Sequence, residues 1–97
     1  MRQVEKIIDR INAVMPVLRE KYSVKTLQIF GSYVRAQQRK RSDIDILVEF
    51  SETIDLFTFV ELEEFLSEAL GIKVDLVMRD TLKPRIKDII LKEALPV

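Results

Sequence analysis

The chain has 97 residues, of which 47% are hydrophobic and 33% charged, a composition typical of one folded domain over residues 1–97 rather than of a disordered tail. It contains neither cysteine nor histidine, which excludes disulfide scaffolds, thiolate zinc sites, histidine metal ligands and catalytic triads with an imidazole base. Its 16 basic and 16 acidic side chains cancel, unlike the uniformly basic domains that bind duplexes, so we expect no direct nucleic-acid binding.

The first forty residues predict a helix, a strand and a second helix. Apolar residues at helical spacing over residues 4–18 predict an amphipathic helix, and Pro16 is expected to kink it or to start a second short helix. Residues 24–30, rich in β-branched and apolar side chains, predict a strand that ends at Gly31. A short helix is predicted over residues 32–38.

The rest of the chain predicts two more strands and two more helices. Residues 44–50 predict a buried strand, and Asp55 can cap a helix that continues to residue 70. A third strand is predicted over residues 72–78 and a final helix over residues 84–94. The residues of the helix after Asp55 that are predicted to face the core are Leu56, Phe59, Val60, Leu66 and Leu70. Three further residues are also predicted to belong to the core: Phe50, Phe57 and Phe65. The order α-β-α-β-α-β-α predicts an α/β (α+β) fold, a small mixed three-stranded sheet covered by helices.

Three aspartates form the first candidate site. Alternate residues of a strand point to the same face, so Asp43 and Asp45 lie side by side, and their like charges repel unless a cation lies between them. Asp75 lies between apolar residues of the third strand and joins them if the two strands are neighbours. Three carboxylates can hold two Mg²⁺ ions about 3.5–4 Å apart, as in nucleotidyl transfer. For Asp-x-Asp alone, a strand edge that meets solvent is the alternative.

A Gly-Ser turn forms the second candidate site. Gly31 and Ser32 end a strand and lead into a helix, which places backbone N–H groups and the positive helix end near an anion such as a phosphate. Arg35, one turn later, can add a bidentate phosphate contact, and Ser42, beside the first aspartate, is a further nucleotide-binding candidate. For Gly-Ser alone, an ordinary turn is the alternative.

The charges are segregated along the chain although they cancel overall. Residues 19–42 carry seven basic side chains against one acidic, and residues 43–80 carry eleven acidic against two basic. A basic segment followed by an acidic one suits a site that holds both polyphosphate and cations. Two solvated surfaces of opposite sign are the alternative.

The order Gly31-Ser32, ten intervening residues and Asp43-x-Asp45 resembles the signature of the DNA polymerase beta-like nucleotidyltransferase superfamily. The whole chain looks like a minimal nucleotidyltransferase (MNT), through LQIFGSYVRAQQRKRSDIDILVEF, LEEFLSEALGIKVDLV and LKPRIKDIILKEALPV. The resemblance implies the fold of that superfamily, triphosphate binding by Gly31 and Ser32, metal binding by Asp43 and Asp45, and a third carboxylate at Asp75.

One position departs from the family pattern. Ala36 stands where many relatives have a second glycine, which changes a helix turn near the phosphates and removes no ligand.

The resemblance also implies an activity and a partner. MNT proteins are commonly paired with a HEPN-domain toxin, an RNA-cleaving protein, and act as its antitoxin. The implied reaction transfers AMP from ATP to a tyrosine hydroxyl of that toxin, with two Mg²⁺ ions as cofactors and Asp75 deprotonating or orienting the hydroxyl. Two alternatives remain open: an antitoxin that acts by binding alone, and a transferase for a small hydroxylated molecule. Assembly with the toxin or with further copies of the chain also remains open.

The sequence carries no sign of a membrane segment. No apolar run approaches the roughly 20 residues that span a bilayer. The first ten residues, MRQVEKIIDR, are charged throughout and lack the apolar core of a signal peptide. We therefore expect a cytoplasmic protein that does not bind membranes.

Overall fold

The structure, a computed structural model, describes residues 3–31, 43–81 and 84–97, with the backbone alone at residues 3, 80, 86 and 87. The helices within these ranges are α1 (Gln3–Tyr22), α2 (Leu56–Leu70) and α3 (Pro84–Glu93). The strands are β1 (Val24–Phe30), β2 (Ile44–Phe50), β3 (Val74–Met78) and β4 (Leu95–Pro96). The helix predicted over residues 32–38 lies outside the described residues.

The strands form a mixed sheet in the order β3-β2-β1-β4. β2 and β3 are parallel, whereas β1 is antiparallel to both β2 and β4. The predicted α/β fold with a mixed sheet is therefore confirmed, with one strand more than the three predicted. The additional strand is two residues long and contains Pro96, so it has no alternating pattern by which a sequence could reveal it.

The first helix runs through its proline. α1 continues past Pro16 to Tyr22, so of the two expected outcomes, a kink or a second short helix, the second does not occur. A proline inside a helix costs about 3 kcal/mol. The apolar stripe continues beyond it, and Leu18 and Tyr22 are 0% and 3% exposed. Burial of two such side chains contributes about 1.5–3 kcal/mol each, which offsets the cost of the proline.

The core lies between one face of the sheet and the two long helices. Alternate residues of β2 (Ile44, Ile46 and Val48) face this core and are fully buried. From α2 the core receives residues four apart, Leu62, Leu66 and Leu70.

The start of α2 contradicts the sequence prediction. Leu56, Phe57 and Val60, predicted to face the core, are 73%, 81% and 43% exposed. Phe57 precedes Leu62 by five residues, which places it about 140° around the helix at roughly 100° per residue. The buried stripe therefore occupies one side of α2, and these three side chains extend from the other.

Both ends of α2 have the predicted caps. The Thr58 N–H donates a hydrogen bond of 2.7 Å to Oδ1 of Asp55, the N-cap. Gly71 ends the helix in the left-handed region, with φ of 67°. Arg10 of α1 donates a hydrogen bond of 3.2 Å to the Leu70 carbonyl, which ties the helix end to its neighbour.

Side chains of α2 protect the sheet edge at β3. The Val74 N–H donates to Oγ of Ser67 at 3.0 Å, and the Leu76 N–H donates to Oε2 of Glu63 at 3.1 Å. These bonds satisfy backbone donors that an edge strand otherwise leaves unpaired. They also fix the position of β3 on either side of Asp75.

Candidate functional site

The sheet brings two of the three candidate aspartates into register. Asp45 of β2 pairs with Asp75 of the parallel strand β3, so the condition under which Asp75 can join the other aspartates is met. Neighbouring strands lie about 4.8 Å apart, and paired residues extend from the same face. We call this the carboxylate face: it carries Asp45, Leu47 and Glu49 of β2 with Asp75 and Val77 of β3. Asp45 is half-buried there and Asp75 is exposed.

Gly31 provides the space for the Asp45 side chain. Phe30, the last residue of β1, pairs with Asp45, so Gly31 follows directly beside the carboxylate. A Cβ at Gly31 would overlap Oδ2 of Asp45 and lie 3.1 Å from its Cγ. Gly31 also has φ of 81°, in the left-handed region that favours glycine. Sequence reasoning linked this glycine to phosphate binding, and the structure adds that it accommodates a candidate catalytic carboxylate.

Asp43 precedes β2 and is paired with a lysine. Its Oδ2 lies 3.8 Å from Nζ of Lys73, the residue before β3. The Ile44 N–H donates a hydrogen bond of 2.9 Å to the Lys73 carbonyl, which brings the two segments together. The Lys73 side chain is 80% exposed, so solvent screens this ion pair and its contribution to stability is small.

The carboxylates fit a magnesium site by donor type, although their placement does not bring three of them together. Oxygen ligands are those that Mg²⁺ prefers, and the ion commonly takes one or two carboxylates together with substrate phosphates. Asp45 and Asp75 are neighbours in register and Asp43 lies two residues before Asp45. As placed, no three acidic side chains among the described residues form a metal-binding group. Asp43 would have to exchange Lys73 for the ion.

Three of the predicted nucleotide-binding residues fall in the gap between β1 and β2. Ser32, Arg35 and Ser42 lie outside the described residues. Gly31 is the one predicted nucleotide-binding residue whose position the structure gives, and it lies against Asp45.

At its other end the carboxylate face carries an ion pair that sequence reasoning missed. NH1 of Arg79, just after β3, lies 3.6 Å from Oε1 of Glu49, and the Thr26 hydroxyl donates to the same oxygen at 3.3 Å. The spacing of Glu49 from Asp45, four residues along one strand, places both on one face, but the partner of Glu49 follows from tertiary structure alone. Arg79 and Glu49 also line a cavity of about 310 Å³ beside the loop that leads to α2.

None of the helices in the described ranges is both long enough and apolar enough to cross a membrane.

Comparison with known proteins identifies similar chains of nearly the same length. Residues 11–97 match the profile of the nucleotidyltransferase domain family. Protein adenylyltransferase MntA of Thermococcus cleftensis is 43% identical over 97 residues, which cover 100% of this chain and 98% of that protein. A solved structure described as a minimal nucleotidyltransferase matches with a TM-score of 0.83 and 33% identity, over 100% of this chain and 97% of the other.

A further similar structure is that of a complex. It contains a tri-AMPylated HEPN toxin of Shewanella oneidensis bound to an MNT antitoxin. The match has a TM-score of 0.65 and 26% identity, and it covers 99% of this chain and 71% of the other.

Proposed function

This chain belongs to the nucleotidyltransferase domain family and is a minimal nucleotidyltransferase, and on that basis we propose that it is an antitoxin that transfers AMP from ATP to a tyrosine hydroxyl of a HEPN toxin. A full-length relative is named a protein adenylyltransferase, and the toxin in a similar complex carries AMP groups. The observation that carries the proposal is the register of Asp45 with Asp75 beside Gly31, at one end of the sheet.

The reaction assigns a role to each of these residues. The tyrosine oxygen forms a bond to the α-phosphorus of ATP, the bond from that phosphorus to the β-phosphate oxygen breaks, and pyrophosphate leaves. Asp75, exposed near the start of β3, orients the hydroxyl and accepts its proton. Asp45 and Asp75, joined by Asp43, would hold Mg²⁺. Bound there, the ions would supply positive charge to the triphosphate and to the attacking oxygen.

The triphosphate would bind beside these carboxylates. Gly31 lies at the end of β1 against Asp45, so backbone N–H groups after it are available to phosphate oxygens at that end of the sheet. Ser32, Arg35 and Ser42 complete the proposed nucleotide site.

The acceptor would come from the partner protein. Asp75 is exposed and Asp43 is about half-exposed, so this end of the sheet is open to a second macromolecule. A tyrosine presented by a docked toxin would reach the α-phosphate from solvent. This arrangement needs no acceptor pocket within the 97 residues.

Mass spectrometry tests the proposal directly. The chain is incubated with ATP, MgCl₂ and a candidate HEPN partner, and the HEPN protein should gain one or more AMP groups on tyrosine. The double variant Asp43→Asn/Asp45→Asn should form no adduct, and Glu49→Gln, on the same face of β2, is the matched control that should retain it. An unmodified HEPN protein with the wild-type chain, or an undiminished adduct with the double variant, would contradict the proposal.

Neutralisation by binding alone is the second candidate function. It is favoured by the ion pair of Asp43 with Lys73 and by the absence of a three-carboxylate group within the described ranges. Toxicity assays separate the two functions. If cells that express the HEPN protein are protected by Asp43→Asn/Asp45→Asn as well as by the wild type, binding is sufficient. If the double variant fails to protect while still binding the toxin, AMP transfer is required.

A further inference from the structure

The exposed side of α2 carries large apolar side chains that the fold does not bury. Phe57 is 81% exposed, Leu56 73% and Val60 43%, and the three lie within one turn. A contiguous exposed apolar patch of this kind marks an interaction site more often than an isolated surface residue does.

The same side of the helix continues as an acidic surface. Glu61, Glu64 and Glu68 follow Val60 at helical spacing and are exposed. None of the three forms an ion pair with another described residue. We call Leu56, Phe57, Val60, Glu61, Glu64 and Glu68 together the α2 surface.

A groove accompanies the acidic half of the α2 surface. The three glutamates and Lys21, Tyr22 and Phe65 line a cavity of about 300 Å³ between α1 and α2. The rings of Tyr22 and Phe65 lie 5.7 Å apart, and Nζ of Lys21 lies 5.4 Å from the centre of the Tyr22 ring. Exposed glutamates along a groove favour a lysine or arginine side chain, which pairs with the carboxylates.

We propose that the α2 surface is the docking site for the HEPN toxin, through a toxin segment that carries apolar side chains next to lysines or arginines. The inference rests on the proposed function for the identity of the partner, and the chemistry of that segment follows from charge complementarity with the glutamates. An apolar patch at one end and an acidic groove at the other fix both the position and the direction of such a segment.

The location of the α2 surface suits a protein substrate. Leu56 follows the end of β2, and α2 then runs back towards the start of β3, so the acidic half of the α2 surface ends where Glu68 and Lys73 line one groove. α2 packs on the core face of the sheet, whereas Asp45 and Asp75 lie on the carboxylate face. A toxin held along the outer side of α2 would leave Asp45 and Asp75 accessible to ATP and to a tyrosine of the same toxin.

Binding measurements with surface variants test the docking site. Phe57→Ser should raise the Kd for the HEPN protein at least about tenfold, as expected for an aromatic anchor. The triple variant Glu61→Gln/Glu64→Gln/Glu68→Gln should slow association and weaken its dependence on salt. Phe57 contributes little to the core because it is 81% exposed, so the variant should fold with the Tm of the wild type.

The matched control is Ile89→Ser, another exposed large apolar residue at 59%, which lies on α3. It should leave the Kd unchanged. A Kd for Phe57→Ser within twofold of wild type, or an equal loss in Ile89→Ser, would overturn the proposal. So would a dimer of the chain alone that Phe57→Ser converts to monomers, because a second copy would then be the occupant.

A second readout separates this inference from the proposed function. In AMP transfer, Phe57→Ser should raise the KM for the toxin and leave kcat at saturating toxin unchanged, whereas Asp45→Asn should bind toxin normally and lower kcat. If the wild type transfers no AMP yet Phe57→Ser loses binding, docking stands and the proposed reaction fails. If transfer occurs and Phe57→Ser binds normally, the reaction stands and the docking site is wrong.

Discussion

The two faces of β2 have different roles: one packs into the core, and the other carries the carboxylates. Ile44, Ile46 and Val48 are fully buried against α1 and α2. Asp45, which lies between Ile44 and Ile46, and Glu49, which follows Val48, extend from the carboxylate face. Because side chains alternate with a period of two, the core residues and the carboxylates fall on opposite faces, although Leu47 on the carboxylate face is also only 1% exposed. The apolar half of the strand determines the position of the carboxylates, and the carboxylates contribute little to the core.

The largest expected effect is on the core face. Ile46→Ala removes a fully buried side chain at the centre of the sheet and should lower the free energy of unfolding by about 2–5 kcal/mol. Urea denaturation followed by circular dichroism measures this loss. AMP transfer per folded molecule should stay close to wild type because the residue faces away from Asp45. A selective loss of activity at full stability would show that the two faces are not independent.

The next largest effect is expected on the carboxylate face, where a substitution should lower the reaction rate and leave the stability nearly unchanged. Asp45→Asn should lower the proposed AMP transfer by about 100-fold, because loss of one charged ligand of the proposed metal site costs about 3 kcal/mol of barrier. Its unfolding midpoint should change little. Glu49→Gln is the comparison on the same face: its ion pair with Arg79 lies at the other end, so kcat should remain near wild type. Equal losses in both variants would mean that the whole face, rather than the Asp45 end, supports the reaction.

Alanine variants of two glycines distinguish the effect of backbone strain from the effect of displacing the Asp45 carboxylate. Gly31 and Gly71 both have positive φ, 81° and 67°, so an alanine at either should destabilise the fold by about 1–2 kcal/mol. A Cβ at Gly31 would overlap the Asp45 carboxylate, whereas no atom lies within 4 Å of one at Gly71. Gly31→Ala should therefore also lower kcat of the proposed transfer by about tenfold, since displacement of the proposed catalytic carboxylate by a few tenths of an ångström or more costs rate.

Gly71→Ala is the control for that measurement. It should show the loss in unfolding free energy without the loss in kcat, when both are determined on the same preparations. If the two alanine variants lose activity equally, strain in the fold accounts for the effect and the contact of Gly31 with Asp45 does not.

Local signals in the sequence predicted much of the fold. The bounds of β1 and β2 agree with the predicted strands, residues 24–30 and 44–50, because runs of β-branched and apolar residues end there. α2 begins and ends as predicted because both of its caps, Asp55 and Gly71, act within one turn of the helix. β4 was missed because its two residues become a strand only by pairing with β1.

Features that depend on tertiary packing were predicted less well. Phe57 was expected in the core because it is aromatic and lies near apolar neighbours, yet the position of the sheet decides which side of α2 is buried. At the site, the alternation of strand residues predicted that Asp43 and Asp45 lie on one face, and Asp75 was expected to join them if the two strands were neighbours, which they are. The contacts of Gly31 with Asp45 and of Lys73 with Asp43 join segments that are distant along the chain, and no local pattern contains them.

The smallest expected effect concerns the cap that starts α2. The hydrogen bond from the Thr58 N–H holds the pKa of Asp55 below its ordinary value. Because the folded-state pKa is the lower one, the stabilisation is present above the unfolded pKa of about 4 and is lost as pH falls through the folded value. Asparagine caps helices as well as aspartate but does not titrate, so the wild type should lose stability relative to Asp55→Asn as pH falls below about 4. Urea midpoints of the two proteins, measured side by side from neutral to acidic pH, check this. A difference that stays constant over that range would show that the ionised carboxylate adds nothing to the cap beyond its shape.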